Sequence, residues 1–303
     1  MAVLRTGRAA GFAACAVASS LWGCGFFFGK IALREMGVPH MVLYRFLFAV
    51  IALLPLLATH RPGLNRREWG VLAVAAFLGI PLQFLLQFYG LSLTTVSHAS
   101  LMVGTMPVIL AVGAAFFAHE RMDAVGWTSL AGSTCGAALI ALGGHEGNGA
   151  TKSGDLLIVL SLVVALFWIL LNKQLMERHS AVVVTAYGIL LGTLMLMVWV
   201  PLRYGMPPVH GISLKAWLAL AASGFLCTST TTLLWNWGLT QVPASEAGVL
   251  LNMEPLVGSL LGVLVLGEHL GANAWVGGGF ILAAAVTLTT RSKTREREQM
   301  PVT

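Results

Sequence analysis

The sequence predicts an all-α integral membrane protein with ten transmembrane helices arranged as two inverted five-helix repeats. Three observations predict this fold: the composition, a series of long apolar segments, and a match of one half of the chain to the other. Of the 303 residues, 57% are hydrophobic and 10% are charged, whereas soluble domains have about 45–50% apolar and about 25% charged residues. No soluble fold buries that much apolar surface, so we expect almost the whole chain to lie in a lipid bilayer.

Apolar segments of membrane-spanning length recur from one end of the chain to the other. A transmembrane helix needs about 20 mostly apolar residues, and short breaks that are polar or contain glycine and proline separate the segments. We predict spans at residues 10–33, 38–58, 69–90, 95–117, 124–143, 154–175, 180–202, 213–238, 244–266 and 272–290. The first segment follows Arg5 and Arg8, but it is too long for a signal peptide and lacks a clean cleavage site, so an uncleaved helix is predicted. Turns are predicted at the two shortest connections, near Ser92 and at Pro243.

The distribution of basic residues predicts the orientation in the membrane. With ten spans both termini lie on one side, and lysine and arginine mark the cytoplasmic side. Twelve basic residues fall on the side of the termini: Arg5, Arg8, Arg61, Arg66, Arg67, Arg121, Lys173, Arg178, Arg291, Lys293, Arg295 and Arg297. Six fall on the other side: Lys30, Arg34, Arg45, Lys152, Arg203 and Lys215. We therefore predict cytoplasmic termini in the inner or plasma membrane, with the basic tail, residues 292–303, as an anchor. This asymmetry accounts for the net charge of +6 without a nucleic-acid partner.

An internal repeat organises the chain. A shift of 148 residues aligns the third, fourth and fifth spans with the eighth, ninth and tenth. The matched pairs are Leu85/Leu233, Leu86/Leu234, Gly90/Gly238, Leu91/Leu239, Ser97/Ser245, Ala99/Ala247, Pro107/Pro255, Glu120/Glu268, Ala124/Ala272 and Trp127/Trp275. Apolar composition by itself yields leucine and alanine matches, but it does not readily pair proline, glutamate and tryptophan at one offset. Each repeat, residues 1–145 and residues 154–291, has five spans, and this odd number inverts the second copy. Inverted repeats are typical of transporters that bind substrate between their halves.

Several motifs of the chain resemble the EamA branch of the drug/metabolite transporter superfamily. The residues that carry the resemblance are Trp22, Gly23 and Lys30 in the first span, Tyr44-Arg45-Phe46 in the second, and Glu254-Pro255 and Leu266-Gly267-Glu268 in the ninth. The chain departs from the family pattern before Glu120, where Ala118 and His119 replace a Leu-Gly. The resemblance covers nearly the whole chain and implies a secondary exporter or exchanger of small metabolites, among which amino acids are common substrates.

Glu254 is the carboxylate that the span assignment places at mid-membrane. Both aspartates, Asp123 and Asp155, fall in predicted loops, so carboxylate chemistry inside the bilayer falls to glutamate. An ionised side chain at the bilayer centre costs about 2.5–3.5 kcal/mol on insertion scales and therefore usually faces a cavity or a partner. One interpretation is a carboxylate that titrates or binds a substrate ammonium. The other is a buried acid that caps backbone groups exposed at Pro255.

Glu246 and His98 are candidates for paired gating residues, because the 148-residue shift superposes them at the start of equivalent helices. Each has a plainer explanation. An acid in the first turn of a helix suits the helix dipole, and a histidine at a helix start is typically a satisfied interfacial residue.

Polar and aromatic side chains recur at helical spacing on one face of four spans. The stripes are Ser19, Trp22, Phe26 and Lys30; Gln83 and Gln87; Ser161, Trp168 and Asn172; and Thr228, Thr232 and Asn236, with Trp235 beside them. A polar stripe is unfavourable against lipid, so we expect these faces to point to a wet cavity or to another helix. Hydrogen bonds between helices, worth about 0.6 kcal/mol each, explain the serines and threonines better than the amides. Lys30 also fits a side chain that snorkels to the interface.

On the ninth span, the sequence leaves open which helix face lines the cavity. Glu246 and Glu254 share one face. A second face contains Ser245, Gly248, Asn252 and Ser259. The glycines Gly258 and Gly262 have the GxxxG spacing of close helix packing.

Four aromatic residues accompany the polar stripes: Trp22, Tyr89, Trp168 and Trp235. Membrane tryptophans ordinarily favour the two interfaces, and core packing explains inward ones equally well. Amides, hydroxyls and aromatic faces beside one carboxylate suit a small amphipathic molecule with an ammonium group. An amino acid is therefore the predicted substrate, with a proton or a counter-substrate as a candidate for coupling. Sugar phosphates fit poorly, since only Lys30 and Arg45 lie near the spans to pair with an anion.

Other classes of function have less support. A multidrug or other metabolite efflux carrier is the alternative within the transport class. Gly29-Lys30 lacks the remaining residues of a P-loop, which disfavours an ATP-driven pump. His98 and Ser223 lack the GxSxG motif of a hydrolase, and the sequence contains no channel filter. The cysteines fall inside spans without zinc spacing, so no metal or other cofactor is predicted: Cys15, Cys24, Cys135 and Cys227.

Overall fold

The protein is a bundle of helices in a computed structural model that describes residues 7–93, 103–117, 122–142, 152–266, 273, 275–284 and 286–287. Every regular element within these ranges is helical. The first half contains α1 (Arg8–Ala32), α2 (Val38–Thr59), α3 (Arg66–Leu93), α4 (Met106–Phe117) and α5 (Ala124–Leu142). The second half contains α6 (Lys152–Met176), α7 (Ala181–Tyr204), α8 (Leu214–Leu239), α9 (Ala244–Gly248), α10 (Met253–Leu266) and α11 (Trp275–Ala284).

Six of the described helices are long and apolar enough to cross a membrane: α1, α2, α3, α6, α7 and α8. Their bounds agree with the predicted spans to within a few residues; α2, for example, ends at Thr59 against a predicted 58. Two shorter apolar helices, α4 and α11, lie in two further predicted spans. The all-helical class is confirmed. The count of ten spans and the inversion of the repeat stay predictions, since residues 94–102 and 267–272 lie outside the described residues.

Large apolar side chains cover the outside of the bundle. Phe116, Leu156 and Leu202 are among the large apolar residues with more than half of their surface exposed. An exposed apolar surface of this extent is unfavourable in water and is what a helix presents to lipid tails. Polar residues are instead found inside, where Ser19, Asn172 and Asn236 are buried.

Capping side chains begin three of the helices. Asn65 precedes α3, and its Oδ1 accepts a hydrogen bond from the Glu68 backbone N–H at 3.0 Å, while the Glu68 carboxylate accepts from the Asn65 N–H at 2.9 Å. Ser180 and Ser213 accept equivalent bonds at the starts of α7 and α8. These side chains satisfy backbone donors that have no partner within the helix.

Three departures from regular α-helix lie deep in the bundle. A π-turn at Leu78–Leu82 interrupts α3 and contains Pro81, which lacks an N–H and disrupts the α-helical hydrogen-bond pattern. A second π-turn, Phe225–Thr230, interrupts α8. A 3₁₀ turn at Val249–Asn252 separates α9 from α10. Irregular backbone at membrane depth is tolerated only where protein buries it or where it lines a cavity, so these three turns point to one interior region.

Helix α1 passes between α8 and α10. Gly23 makes the crossing with α10 possible, because a Cβ at this position would lie 2.5 Å from the backbone oxygen of Glu254. The two helices therefore approach each other closely just where α10 begins.

Contacts between the two halves hold both ends of the bundle, which we call the Glu246 end and the Glu35 end. At the Glu246 end, Nη2 of Arg8 donates to Oε2 of Glu246 at 2.7 Å and joins the start of α1 to α9. At the Glu35 end, the Ser213 hydroxyl and backbone N–H donate to the Glu35 carboxylate at 2.6 and 2.7 Å. These bonds hold the pKa of Glu35 below its usual value, so the tie weakens only as pH falls through that lowered pKa.

Candidate functional site

A cavity lies between the two halves, where the three irregular turns meet. Its volume is about 100 Å³, counted as space open to the centre of a water molecule, which holds several waters or the body of a small metabolite. Helices α1, α2, α3, α6, α7 and α8 line it, together with residues just before and at the starts of α4 and α10. The π-turn of α3 contributes Gly79 and Ile80, and that of α8 contributes Thr228.

Eight of the eleven predicted binding residues line this cavity. They are Trp22, Gln83, Gln87, Trp168, Asn172, Thr232, Asn236 and Glu254. They come from α1, α3, α6, α8 and α10, so the polar stripes of separate spans face one space. The Ser161 hydroxyl, on the same stripe as Trp168 and Asn172, has a local partner: it donates to the backbone oxygen of Ile158 in its own helix.

The other three predicted binding residues lie outside the cavity lining. Trp235 is fully buried, and its ring packs behind that of Trp22 with centroids 5.4 Å apart. Tyr89 packs in the hydrophobic cluster that contains Leu85 and Phe88. Asn252 is buried in the 3₁₀ turn, and its Nδ2 donates to Oγ of Ser133 on α5 at 3.0 Å.

The two predicted gating residues differ in what the structure describes. Glu246 accepts the hydrogen bond from Arg8 at the Glu246 end, away from the cavity lining. His98 lies outside the described residues, and so do the side chains of Phe26, Lys30 and Ser259.

On the predicted ninth span, the faces separate around the 3₁₀ turn. Leu251 and Glu254 line the cavity, whereas Asn252 points to α5 and Gly248 packs against Leu110 of α4. The side chain of Glu254 is partly buried and receives no hydrogen bond from a described residue. Glu254 therefore lines the cavity, and within the described ranges its carboxylate has no hydrogen-bond donor and caps no backbone N–H before Pro255.

Arg45 is the cavity residue whose role the sequence analysis missed. Its side chain is 3% exposed, and it lines the cavity seven residues into α2. The sequence signal was present: an arginine inside an apolar span marks a functional position by default. Arg45 lies near the end of its predicted span, so the comparison of basic residues on the two sides of the membrane groups it with the loop charges.

The Arg45 guanidinium is held by the π-turn of α8 and by an aromatic ring of α3. Its Nε donates to Oγ1 of Thr228 at 2.7 Å, and its Nη2 donates to the backbone oxygen of Cys227 at 2.9 Å. One face of the guanidinium lies 4.9 Å from the ring centroid of Phe84, within the range of a cation–π interaction. Two of the five N–H donors are thus engaged, and the other three have no partner among the described residues.

Arg45 and Glu254 both line the cavity. They form no direct ion pair in the described part of the chain. Burying two charges is costly unless each is paired or hydrogen-bonded. Two charged side chains that line one cavity without pairing with each other leave hydrogen-bonding groups for a bound polar ligand.

The indole of Trp168, which belongs to α6, forms an aromatic wall of the cavity and lies against the π-turn of α3. This ring lies directly on Gly79, where any Cβ would clash with three atoms of the indole ring. Trp22 lies on α1 and is backed by Trp235. The two rings give the cavity apolar walls beside its charged groups.

Amide groups line the same space. The Asn236 Nδ2 donates to Oγ1 of Thr185 at 2.8 Å, and its Oδ1 has no hydrogen-bond partner among the described residues. The Oε1 of Gln83 is also buried, and it has no partner in the part of the chain that the structure describes. Buried acceptors of this kind are ordinarily satisfied, so the cavity has the acceptors that a ligand with N–H groups requires. No cluster of three metal-ligating side chains occurs among the described residues.

Comparison with known proteins places the chain among transporters. The sequence model of the EamA-like transporter family matches residues 9–142 and again residues 152–290. An uncharacterized transporter of Archaeoglobus fulgidus is 26% identical over 275 residues, which cover 89% of this chain and 93% of that protein. A probable terminal-alkyne amino-acid exporter of Streptantibioticus cattleyicolor is 26% identical over 286 residues, which cover 91% of this chain and 92% of that protein.

A solved structure, titled only as the crystal structure of a protein, has the same fold. The two superpose with a TM-score of 0.77 over 94% of this chain and 98% of that one, at 16% sequence identity. At this identity the likeness concerns the fold alone. The family match and the apolar helices make the chain a multi-pass membrane protein.

Proposed function

We propose that this chain, which belongs to the EamA-like transporter family, is a secondary carrier that exports or exchanges small amphipathic metabolites, amino acids above all. The cavity supports the proposal best, because residues of both halves enclose it and opposite charges line it. Carriers commonly bind substrate near the midplane between two repeats and alternate access around the site. In this proposal the first and second halves rock about the cavity.

Glu254 supports an amino-acid substrate because it lines the cavity and no described residue donates a hydrogen bond to its carboxylate. A substrate ammonium supplies three N–H donors and a positive charge, and an indole face beside it adds a cation–π contribution. The indole rings that line the cavity are those of Trp22 and Trp168. The relative from Streptantibioticus cattleyicolor is named for an amino-acid substrate, which favours the same class.

The first experiment is counterflow with the purified chain in liposomes. We expect labelled phenylalanine or threonine to exchange against the same unlabelled amino acid, in a saturable manner. Saturation separates a carrier from a channel, and unchanged substrate separates it from an enzyme. Exchange of a phosphorylated sugar alone would overturn the proposal.

Two carboxylate variants test whether Glu254 has a role in transport. We expect Glu254→Gln to abolish or uncouple flux while the protein still folds, because the cavity loses its negative charge. Glu246→Gln is the matched control, since that carboxylate is tied to Arg8 at one end of the bundle. Unchanged flux and unchanged pH dependence in Glu254→Gln would remove the carboxylate from the mechanism.

The proposed orientation has both termini and residues 60–67 in the cytoplasm, with residues 144–153 and 203–212 outside the cell. It follows the excess of basic residues on the side of the termini. Single-cysteine labelling with an impermeant reagent tests it in whole cells. Labelling of a cysteine at position 65 from outside would contradict the orientation.

A further inference from the structure

The placement of Arg45 and Glu254 on either side of α1 carries an inference about what the cavity selects. A Cβ on Gly23 would meet the backbone of Glu254, and a Cβ on Gly25 would lie 3.5 Å from Nη2 of Arg45. Residues two apart on a helix differ in depth by about 3 Å. The Glu254 backbone and the Arg45 guanidinium thus lie against α1 within one helical turn of each other, and both residues line the cavity.

The contacts of Arg45 leave the edge of its guanidinium available. The Phe84 ring covers one face, Thr228 holds Nε, and Cys227 holds one N–H of Nη2. The remaining N–H groups lie on Nη1 and Nη2, along one edge of the plane. Guanidinium edges bind carboxylates through two parallel hydrogen bonds, which makes arginine suited to planar anions.

We propose that Arg45 binds the substrate carboxylate while Glu254 binds its ammonium group, so that the cavity selects α-amino acids over amines and over carboxylic acids. This inference rests on the proposed amino-acid transport. An α-amino acid has both charged groups on one carbon, so it can meet a basic and an acidic side chain that line the same small cavity. A molecule with only one charge leaves one protein charge in the cavity without its partner, which is unfavourable.

Thr228 is the positioning residue in this arrangement. Its hydroxyl accepts from Nε of Arg45 at 2.7 Å and donates to the backbone oxygen of Ser223 at 2.9 Å. The second bond exists because the π-turn brings the carbonyl five residues earlier within reach. The break in α8 therefore sets the direction of the guanidinium.

The test uses three probes that differ in one charge each: phenylalanine, phenethylamine without the carboxylate, and 3-phenylpropanoate without the ammonium. Each competes with labelled phenylalanine in counterflow by the purified full chain in liposomes. We expect wild-type protein to bind phenylalanine about tenfold or more tightly than either analogue, as hydrogen bonds to charged groups imply. Equal inhibition by all three probes would overturn the proposal without any variant.

Variants then assign each charge to its residue. Arg45→Gln should weaken phenylalanine binding about tenfold or more and leave inhibition by phenethylamine unchanged. Because Glu254→Gln is expected to abolish or uncouple flux, it is measured by equilibrium binding of the labelled probes to the purified chain, where binding of 3-phenylpropanoate should stay unchanged and binding of phenylalanine should weaken. Arg45→Lys keeps the charge without the planar edge and should recover part of the selectivity. An equal loss for phenylalanine and phenethylamine in Arg45→Gln would show a structural role and overturn the assignment.

Different results would contradict the proposed amino-acid transport and the inference about Arg45. If the wild-type chain exchanges threonine and not phenylalanine, the same probes are threonine, 1-aminopropan-2-ol and 3-hydroxybutanoate, with the same expectations. If it exchanges no amino acid, amino-acid transport itself is wrong. If it exchanges amino acids without distinguishing them from the single-charge analogues, only the inference about Arg45 is wrong.

Discussion

Two long helices of the bundle, α3 and α8, are interrupted by π-turns at matching places, yet the two turns are built from different side chains. The 148-residue shift maps Leu78–Leu82 onto residues 226–230, inside the second turn at Phe225–Thr230. In α3 the turn contains Pro81 and Gly79. In α8 it contains hydroxyl residues whose side chains donate to carbonyls five residues earlier: Thr228, Ser229 and Thr230.

The difference teaches that one backbone irregularity serves two purposes. The π-turn in α3 makes room for a neighbouring ring, because Gly79 has no side chain where the indole of Trp168 lies. The π-turn in α8 orients a charged side chain, because its Thr228 hydroxyl accepts the hydrogen bond from Nε of Arg45. π-Turns frequently occur at functional sites, and here both of them border the same cavity.

The largest effect is expected for Gly79→Ala. The new Cβ overlaps the indole of Trp168, and overpacking a well-packed interior costs about 1–3 kcal/mol. We expect a lower midpoint of thermal unfolding in detergent and a marked loss of amino-acid counterflow. Gly70→Ala on the same helix is the control, since nothing lies within 4 Å of its Cβ position. Full activity in Gly79→Ala would show that the space at the turn is dispensable.

Next in size is Thr228→Val, which keeps the shape of the side chain and removes the hydroxyl. Nε of Arg45 then lacks a buried partner, at a cost of about 1–3 kcal/mol. We expect lower stability and a raised KM for the amino acid. Thr228→Ser retains the hydroxyl and should remain close to wild type. Equal KM values for Thr228→Val and wild type would break the link between the turn and Arg45.

A smaller effect is expected for Ser229→Ala. The buried Ser229 hydroxyl donates to the backbone oxygens of Gly224 and of Ala49 on α2. Its loss should cost about 1 kcal/mol of unfolding free energy and leave the KM unchanged. Thr230→Val is the matched control, because the Thr230 hydroxyl bonds to Phe225 at an exposed position. Thermal unfolding of both variants in detergent compares a buried with an exposed hydroxyl of the same turn.

The smallest effect is expected for Pro81→Ala. The turn in α8 forms without proline, so the π-turn of α3 should persist, held by the contact between Trp168 and Gly79. Removing proline from a helix interior otherwise relieves a penalty, so stability should stay the same or rise by about 1 kcal/mol. Counterflow should remain near the wild-type rate. A large loss of flux would show that proline itself shapes the cavity wall.

The candidate site was predicted in part because polar side chains inside apolar spans are conspicuous in a sequence. Gln83, Gln87 and Asn236 are amides that lipid would disfavour, and all three line the cavity. Asn252 has the same signal and lies elsewhere, since a polar group can also bond to a neighbouring helix, as the Asn252 Nδ2 does to Ser133. Sequence spacing identifies a helix face but does not identify what that face contacts.

Arg45 is the opposite case, because the sequence analysis grouped it with the loop charges and the structure places it in the cavity lining. Its number in the chain placed it near the end of a span, where a basic side chain ordinarily reaches the membrane interface. The structure turns the side chain inward instead, because Thr228, Cys227 and Phe84 from two other helices surround the guanidinium. These partners lie far from Arg45 in the sequence, and no local pattern relates them to it.

The sequence by itself determined the membrane class, the positions of the helices and the match between two halves. These properties depend on composition and on short-range periodicity, because each transmembrane helix satisfies its own backbone and must be apolar along its length. Only the tertiary structure decided that Arg45 and Glu254 border one cavity, that Asn252 lies outside it, and that the turns in α3 and α8 meet there. Those properties depend on how helices pack, and packing is set by complementary shapes of residues distant in the chain.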